Sequence, residues 1–256
     1  MKSLILKILL LMVFLQGCKD ANVHEVNSIE KNEKVLLKEE GQEEFFYWEL
    51  KDEERLWGFE IGEVGALNQY RDTLKLELGH QKYESAINNE SIQNLDKTFI
   101  EEENGDRKNA LLIHTGSVGK IRKINYLESQ ILNYQLNRFP LFSHPTEFHG
   151  FIIKNEKEHK IRVYFGSSDT EWPPKPTVII EELEKVIHGD WELIGHLHNH
   201  YSRKDNNYIG ILAPSLADAQ YYKFLKDRYN IKRALITNGF HTVEIKSDHF
   251  KEFESH

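Results

Sequence analysis

The stretch that decides the fold is Gly195–Gln220, which reads GHLHNHYSRKDNNYIGILAPSLADAQ. Its start belongs to the run WELIGHLHNH, residues 191–200, which is typical of a β-strand. Side chains alternate between the two faces of a strand, so we expect His196, His198 and His200 to point the same way. Imidazole is the commonest metal ligand in proteins, and this row of histidines therefore raises the question of a metal site.

The end of the same stretch, APSLADAQ, predicts the start of an α-helix with Ser215 and Asp218 in its first turn. A serine followed three residues later by an acidic residue is typical of a capping box, which is a structural feature of helix starts. Asp218 is also a candidate third metal ligand, because the helix comes soon after the histidine strand. The residues alone leave both interpretations open, and they do not separate the pair His196 and His198 from the pair His198 and His200.

An earlier strand candidate, TEFHGFII at residues 146–153, contains Glu147 with Gly150 three residues on. This Glu-x-x-Gly, together with the His-x-His and the Ser-x-x-Asp, resembles the metal-binding signature of the JAMM (JAB/MPN) metallopeptidases. The resemblance covers roughly residues 125–245. It implies a JAMM/cytidine-deaminase-like α/β sandwich with a central mixed sheet.

The same resemblance implies a ligand set. In that family the histidines follow a glycine as Gly-x-x-His-x-His, and Gly195 therefore assigns the ligands to His198 and His200. Asp218 would complete the protein ligands of one Zn²⁺ ion per chain. His196 would lie behind the ligands, as a possible contact of the site.

The resemblance also implies a reaction, the hydrolysis of a peptide or isopeptide bond through a zinc-activated water. Glu147 would accept the proton of the water and pass it to the leaving amine, and Ser215 would donate to the developing oxyanion. The loop at residues 201–214 is longer than the usual loop of the family, and Tyr201 stands where the family usually has proline. We expect the longer loop to affect substrate access.

Two other functions are compatible with parts of the sequence. A non-catalytic JAMM-like scaffold or binding lipoprotein is the main alternative, although the presence of every motif position favours the enzyme. The letters HNH also occur in a class of nucleases, but there the residues are spread over a ββα unit and are not adjacent on one strand. The chain is acidic, with a formal net charge of −8, and therefore lacks the basic surface of a nucleic-acid-binding protein.

The N-terminal residues 1–17, MKSLILKILLLMVFLQG, predict a signal peptide, because the apolar run Ile8–Leu15 is too short to span a bilayer. With Cys18 they resemble a bacterial lipobox, which implies a lipid on Cys18 and attachment to a membrane of the cell envelope, facing the periplasm or the exterior. An ordinary signal peptide or a short anchor is the alternative. Cys18 is the only cysteine, so an intramolecular disulfide and a cysteine-rich zinc site are both excluded.

Composition divides the rest of the chain. Residues 18–44 are rich in charged and amide side chains and predict an acidic, polar tether. Residues 45–124 predict a smaller, mostly β region, in which DTLKLELG (72–79) and ALLIHTG (110–116) are strand candidates. Residues 125–256 predict the JAMM-like domain. The expected partners are a peptide, protein or peptidoglycan-peptide substrate and, through Cys18, a membrane.

Overall fold

The computed structural model describes residues 29, 32–59, 66–90, 104–140, 144–201 and 209–256. These residues form a mixed α/β structure around one sheet of eight strands, in the order β1-β2-β5-β4-β6-β7-β8-β3. The strands are β1 (Lys34–Glu40), β2 (Glu43–Lys51), β3 (Lys120–Lys123), β4 (Phe148–Asn155), β5 (Lys160–Ser167), β6 (Trp191–Asn199), β7 (Arg233–Thr237) and β8 (His241–Lys246). The α-helices are α1 (Ala66–Leu78), α2 (His80–Ser85), α3 (Gly105–His114), α4 (Tyr126–Arg138), α5 (Thr177–Val186) and α6 (Leu216–Tyr229). Shorter helical turns lie at Glu54–Trp57, Ala86–Glu90 and Ser247–Glu252.

Helices cover both faces of the sheet. On β2, Phe45 and Phe46 are neighbours in the chain and enter different hydrophobic clusters, as the alternation of a strand requires. The cluster on one face includes side chains of α1, α2 and α4, among them Tyr70, Tyr83 and Leu127. The cluster on the other face includes side chains of α3, α5 and α6, among them Ile113, Leu183 and Tyr222.

The strands pair in an antiparallel manner except at the centre, where β6 and β7 are parallel. A parallel pair needs a crossover connection, and α6 lies within the chain that links these two strands. This connection runs from the end of β6 to the start of α6. It therefore brings the two parts of the fold-deciding stretch, the histidines and the Ser-x-x-Asp, to the same edge of the sheet.

Three element predictions for the central unit are confirmed: the runs at residues 146–153 and 191–200 correspond to β4 and β6, and the run after Ser215 is the helix α6. The mixed character of the sheet is confirmed as well. Residues 238–240 join β7 to β8, the backbone N–H of Asn238 donates to the carbonyl of His241 (3.1 Å), and Gly239 adopts a φ of 85° that favours glycine.

The prediction of a mostly β region at residues 45–124 is wrong, because α1, α2 and α3 lie there. In α1 the leucines of DTLKLELG alternate with polar residues, but the helix buries Tyr70 and Leu74, which are four residues apart. Leu76, which a strand would have placed on the same face as Leu74, is 86% exposed. Leu74 therefore pairs with Tyr70, which lies before the run, at the four-residue spacing of a helix, and not with Leu76 at the two-residue spacing of a strand.

The prediction of a strand at ALLIHTG is wrong for a similar reason. In α3 the buried residues are Asn109, Ala110 and Ile113, a helical spacing, whereas Leu111 is exposed. The side chain of Asn104 accepts a hydrogen bond from the backbone N–H of Arg107 (2.8 Å) and so caps the helix start.

The predicted tether at residues 18–44 is wrong for Lys34–Glu40, which form the edge strand β1 and pair with β2. β2 in turn pairs with β5, and β3 pairs with β8, so one sheet extends across the predicted boundary at residue 125. The predicted signal peptide and Cys18 lie outside the described residues. Among the described residues, no helix has the length and apolar character needed to cross a bilayer.

Candidate metal centre

Three potential metal ligands meet where β6 ends and α6 begins. His198 is the penultimate residue of β6 and is buried. His200 follows the strand, and its backbone N–H donates to the carbonyl of Thr237 (2.8 Å), which keeps it alongside β7. Asp218 lies in the first turn of α6. The parallel β6–β7 pairing and the crossover helix therefore bring residues twenty positions apart in the chain into contact.

The distances within this group suit a metal ion. The Nε2 atoms of His198 and His200 are 2.9 Å apart. From Asp218, Oδ1 lies 3.5 Å from Nε2 of His198 and Oδ2 lies 3.3 Å from Nε2 of His200. Nitrogen and oxygen ligands about 2.1 Å from a tetrahedral ion are separated by about 3.4 Å. The two distances to Asp218 are close to this value, and the distance between the two histidines is shorter. His198, His200 and Asp218 thus form a group that could hold a metal ion.

Each histidine is oriented by a partner on its other nitrogen. Nδ1 of His200 lies 2.9 Å from the carbonyl oxygen of Ile211, which can only accept, so Nδ1 carries the proton. Nδ1 of His198 lies 3.0 Å from the hydroxyl of Tyr222, which is buried in α6. The neutral ring of His200 therefore has Nε2 free to ligate, and the Tyr222 hydroxyl can accept the Nδ1 proton of His198 to give the same arrangement there, as is usual for metal-binding histidines.

The charges of the group are strongly coupled. Burial favours protonation of Asp218, but His198 and His200 outweigh it and hold the pKa of the carboxyl well below its usual range. Burial lowers the pKa of His200, but its hydrogen bond to Asp218 and the charges of Asp218 and Glu147 raise this pKa to about 9. Burial lowers the pKa of His198. The raised pKa of His200 thus favours its protonated form beside the ionised carboxylate of Asp218.

The capping-box interpretation of Ser215 and Asp218 is confirmed, and it is compatible with the metal group. Oγ of Ser215 accepts a hydrogen bond from the backbone N–H of Asp218 (3.1 Å). Oδ2 of Asp218 accepts from the backbone N–H of Ser215 (2.9 Å) and from its hydroxyl (2.7 Å). These bonds fix the carboxylate so that Oδ1 remains directed at His198. The hydroxyl that was expected to stabilise an oxyanion is thus donated to Asp218.

His196 lies on the same side of the sheet but outside the group. Its Nε2 atom is 3.0 Å from Nδ1 of His149, and its ring packs 4.6 Å from that of Phe151, measured between centroids. Burial lowers the pKa of His196 well below its usual value and lowers the pKa of His149 to about 3. Both rings are therefore neutral and form a wall behind His198. Among the described residues, His196 Nδ1 has no hydrogen-bond partner.

Glu147 immediately precedes β4, and its backbone N–H donates to the carbonyl of Glu171 (3.3 Å). Burial raises the pKa of its carboxyl to about 7; the charge of His200 opposes this shift and that of Asp218 adds to it. A carboxyl whose pKa is close to neutrality is suited to accept and return a proton. Glu147 therefore lies within electrostatic range of the metal group, with the ionisation properties of a general base.

A cavity of about 140 Å³ opens beside His200 and Ser215. One of its walls is Asp106 of α3, whose Oδ1 accepts a hydrogen bond from the backbone N–H of Leu216 (2.6 Å). The region before residue 125 thus contributes to the surroundings of the metal group. Residues 202–208 of the long loop, which were expected to affect access, lie outside the described residues.

A larger cavity, of about 810 Å³, lies at the opposite edge of the sheet, where β6 and β7 begin. Two ion pairs lie among its lining side chains: Arg122 pairs with Glu244, and Lys154 pairs with Glu156. The smaller cavity, and not the larger one, adjoins the metal group, because His200 and Ser215 are among its lining residues.

The sequence did not identify three groups that support the site. Tyr222 is four residues after Asp218 and therefore on the same helix face, which is a signal that could have been used. The carbonyl of Ile211 is a backbone group and leaves no signal. Asp106 lies at the start of α3, a helix whose residues from Ala110 onward were predicted as a strand.

Comparison with known proteins found no matching family model, no similar curated protein and no similar solved structure.

Proposed function

We propose that this chain is a zinc metallopeptidase with a JAMM/cytidine-deaminase-like sandwich, tethered to a bacterial membrane through a lipid on Cys18. One observation carries the proposal: the Nε2 atoms of His198 and His200 and the carboxylate of Asp218 lie within 3.5 Å of one another, as a group that could hold a metal ion. Three protein ligands leave a fourth position open, as is usual in catalytic rather than structural zinc sites.

A zinc ion held there would lower the pKa of a coordinated water to about 7 and polarise the carbonyl of the bond to be cleaved. Glu147 accepts a proton from the attacking water and transfers it to the nitrogen of the leaving amine, so that a carboxylic acid and an amine are formed. Its pKa of about 7 suits both transfers near neutral pH.

Ser215 holds Asp218 in the proposed site. Its hydroxyl and its backbone N–H both donate to Oδ2 of that carboxylate. The oxyanion role that the family resemblance implies would require the hydroxyl to leave Asp218. We therefore assign Ser215 to the orientation of the ligand.

The proposed substrate is a peptide, protein or peptidoglycan peptide with a peptide or isopeptide bond. The cavity beside His200 is large enough for part of such a chain but does not enclose a whole one. A non-catalytic JAMM-like scaffold or binding lipoprotein remains the second candidate. The proximity of Glu147 to the metal group favours the enzyme, because a structural ion needs no base beside it.

The test compares the wild-type chain with Glu147→Gln, both in the full-length, zinc-loaded form in detergent. Defined peptides and muropeptides are incubated with each protein and the products are read by mass spectrometry. We expect the variant to retain its zinc and to lose hydrolysis by about 100-fold or more. Equal turnover by wild type and variant would refute the role of Glu147, whereas intact zinc with no cleavage by either protein would favour the scaffold.

A further inference from the structure

Asn199, the residue between the two histidine ligands, is buried, with 1% of its surface exposed. Its side-chain amide makes two hydrogen bonds to β4 and its approach. The amide oxygen accepts from the backbone N–H of Phe148 (2.9 Å), and the amide nitrogen donates to the carbonyl of Thr146 (2.9 Å). Both bonded groups belong to the residues on either side of Glu147.

These bonds occur where the two strands separate. The backbone pairing between β4 and β6 ends at His149 and His198. Beyond that pair, the chain of β6 follows β7 instead, through the bond from His200 N–H to Thr237. The amide of Asn199 offers one acceptor and one donor, as a peptide group does. It therefore replaces the next backbone pairing, and the two backbones are separated there by the length of the side chain.

The separation has a consequence for Glu147. Continued pairing would place Glu147 directly opposite His200, in the space that a metal ion and a substrate need. Asn199 holds the two strands apart there but still fixes the backbone on both sides of Glu147. The other restraints on this segment are the donation of Gln135 Nε2 to Thr146 Oγ1 (2.5 Å) and the bond from Glu147 N–H to the carbonyl of Glu171.

We infer that Asn199 is a positioning residue, which sets the distance between the carboxyl of Glu147 and the group His198, His200 and Asp218. This inference rests on the proposed function. Other side chains do not meet the same need: aspartate lacks the donor for Thr146, and glutamine adds a methylene that changes the spacing. The side chain of Asn199 thus projects from the strand face opposite to the ligands. It affects the site by positioning Glu147.

A matched control exists elsewhere in the fold. Asn109 in α3 is also buried, and its amide makes the same pair of bonds to one backbone segment. It accepts from the N–H of Glu254 (2.8 Å) and donates to the carbonyl of Glu254 (3.0 Å). Removal of either amide should lower the stability of the fold, but only Asn199 should affect Glu147.

The experiment uses acetohydroxamic acid as a probe and measures its binding to the full-length, zinc-loaded chain by calorimetry. A hydroxamate binds a metal ion through its two oxygens, and a carboxylate beside the ion accepts its proton. We expect Glu147→Gln to raise the Kd of the probe about tenfold, because a charge-assisted hydrogen bond is lost. We expect Asn199→Ala to raise the Kd at least about threefold and Asn109→Ala to leave it within about twofold.

The outcomes separate the inference from the proposed function. A wild-type Kd in Asn199→Ala, with weakened binding in Glu147→Gln, would overturn the inference and leave the proposed function intact. No zinc in the wild-type chain, or a wild-type Kd in Glu147→Gln, would overturn the proposed function and the inference with it. If Asn199→Ala does not fold, Asn199→Asp replaces it: this variant keeps the acceptor for Phe148 and loses the donor for Thr146. An unchanged Kd in that variant would equally overturn the inference.

Discussion

Two buried polar clusters lie on opposite faces of the sheet and are built in opposite ways. On the face covered by α4, the carboxylate of Glu128 accepts from two nitrogens of Arg122 (2.7 and 2.8 Å), from the N–H of Asn125 (3.0 Å) and from the hydroxyl of Thr242 (3.0 Å). Arg122 also donates to Glu244 (3.1 Å). We call these five residues the Glu128 cluster. Its donors and acceptors satisfy each other within the chain.

In the metal group on the other face, the donors and acceptors do not all satisfy each other. His198, His200 and Asp218 bring two Nε2 atoms and a carboxylate together, and both donors that Ser215 supplies go to one oxygen of that carboxylate, Oδ2. Burial is similar in the two clusters, so burial alone does not distinguish a structural cluster from a functional one. The difference is whether the cluster supplies all of its own partners. The group His198, His200 and Asp218 could take a metal ion as a further partner.

The largest effect should follow from breaking the Glu128 cluster. Glu128→Ala leaves the buried guanidinium of Arg122 with only part of its compensation, and we expect the free energy of unfolding to fall by about 3–5 kcal/mol. Urea unfolding monitored by circular dichroism measures this change. An exposed acid, Glu156→Ala, is the control and should change the stability little. A fall below about 1 kcal/mol for Glu128→Ala would show that the comparison overstates the structural value of the cluster.

The next effect concerns the metal group. Zinc at 100 times its Kd should raise the free energy of unfolding by about 2.7 kcal/mol, because it binds the folded chain and not the unfolded one. We expect the same increment in Glu128→Ala, since the two clusters share no partner and their contributions should add. Urea unfolding with and without zinc tests both statements. An increment that vanished in Glu128→Ala would contradict the independence of the two clusters.

The metal-free chain should show a dependence of stability on pH. The pKa of His200 is raised from 6.5 to about 9, after the effect of Asp218 outweighs that of burial. A raised pKa means that the folded chain binds this proton more tightly. The resulting stability is fully present below pH 6.5 and is lost as the pH rises through 9. We expect a loss of about 2 kcal/mol over this interval, measured by urea unfolding in the presence of a chelator.

Asp218→Asn is the control for this pH dependence, because it removes the negative charge that raises the pKa of His200. The slope between pH 6.5 and 9 should flatten in the variant. With zinc bound, the trend should reverse, since the ion competes with the proton and binds more tightly as the pH rises. A metal-free wild-type chain whose stability was constant over this range would contradict the raised pKa of His200.

The smallest effect should come from the partner of His198. Tyr222→Phe removes the hydroxyl that lies 3.0 Å from Nδ1 of His198, and we expect the affinity for zinc to fall about tenfold, or about 1.4 kcal/mol. The neighbouring Tyr221 is a matched control. Its hydroxyl has no hydrogen-bond partner within the described part of the chain, so Tyr221→Phe should leave zinc affinity unchanged. Competition with a chromophoric chelator measures both, and equal affinities in the two variants would remove Tyr222 from the site.

The sequence predicted the part of the fold in which the pattern is strong over a whole element. β6 and α6 have clear strand and helix signals. The strand prediction for DTLKLELG failed because its alternation of apolar and polar residues is short and local. The burial of Tyr70 and Leu74 depends on packing against other elements. The strand at Lys34–Glu40 was not predicted, because its composition is polar. It is a strand through its pairing with β2, which the sequence does not reveal.

The candidate site divides in the same way. His198, His200 and Asp218 were identified by residue type and by resemblance, and the fold brings all three together. Sequence alone did not give the partner of Asn199, because backbone groups of Thr146 and Phe148 carry no side-chain signature. It also did not indicate that Ser215 donates its hydroxyl to Asp218, since a cap and an oxyanion donor require the same residue type.

The most direct measurement is the zinc content of the full-length chain, by inductively coupled plasma mass spectrometry after metal-replete purification. Wild type, Asp218→Ala and the exposed-acid control Asp190→Ala are compared as folded proteins. We predict about one zinc per chain in wild type and in Asp190→Ala, and about a tenth or less in Asp218→Ala, because loss of a ligand removes much of the binding energy. No zinc in wild type, or equal zinc in Asp218→Ala, would contradict the assignment of this group as a metal centre.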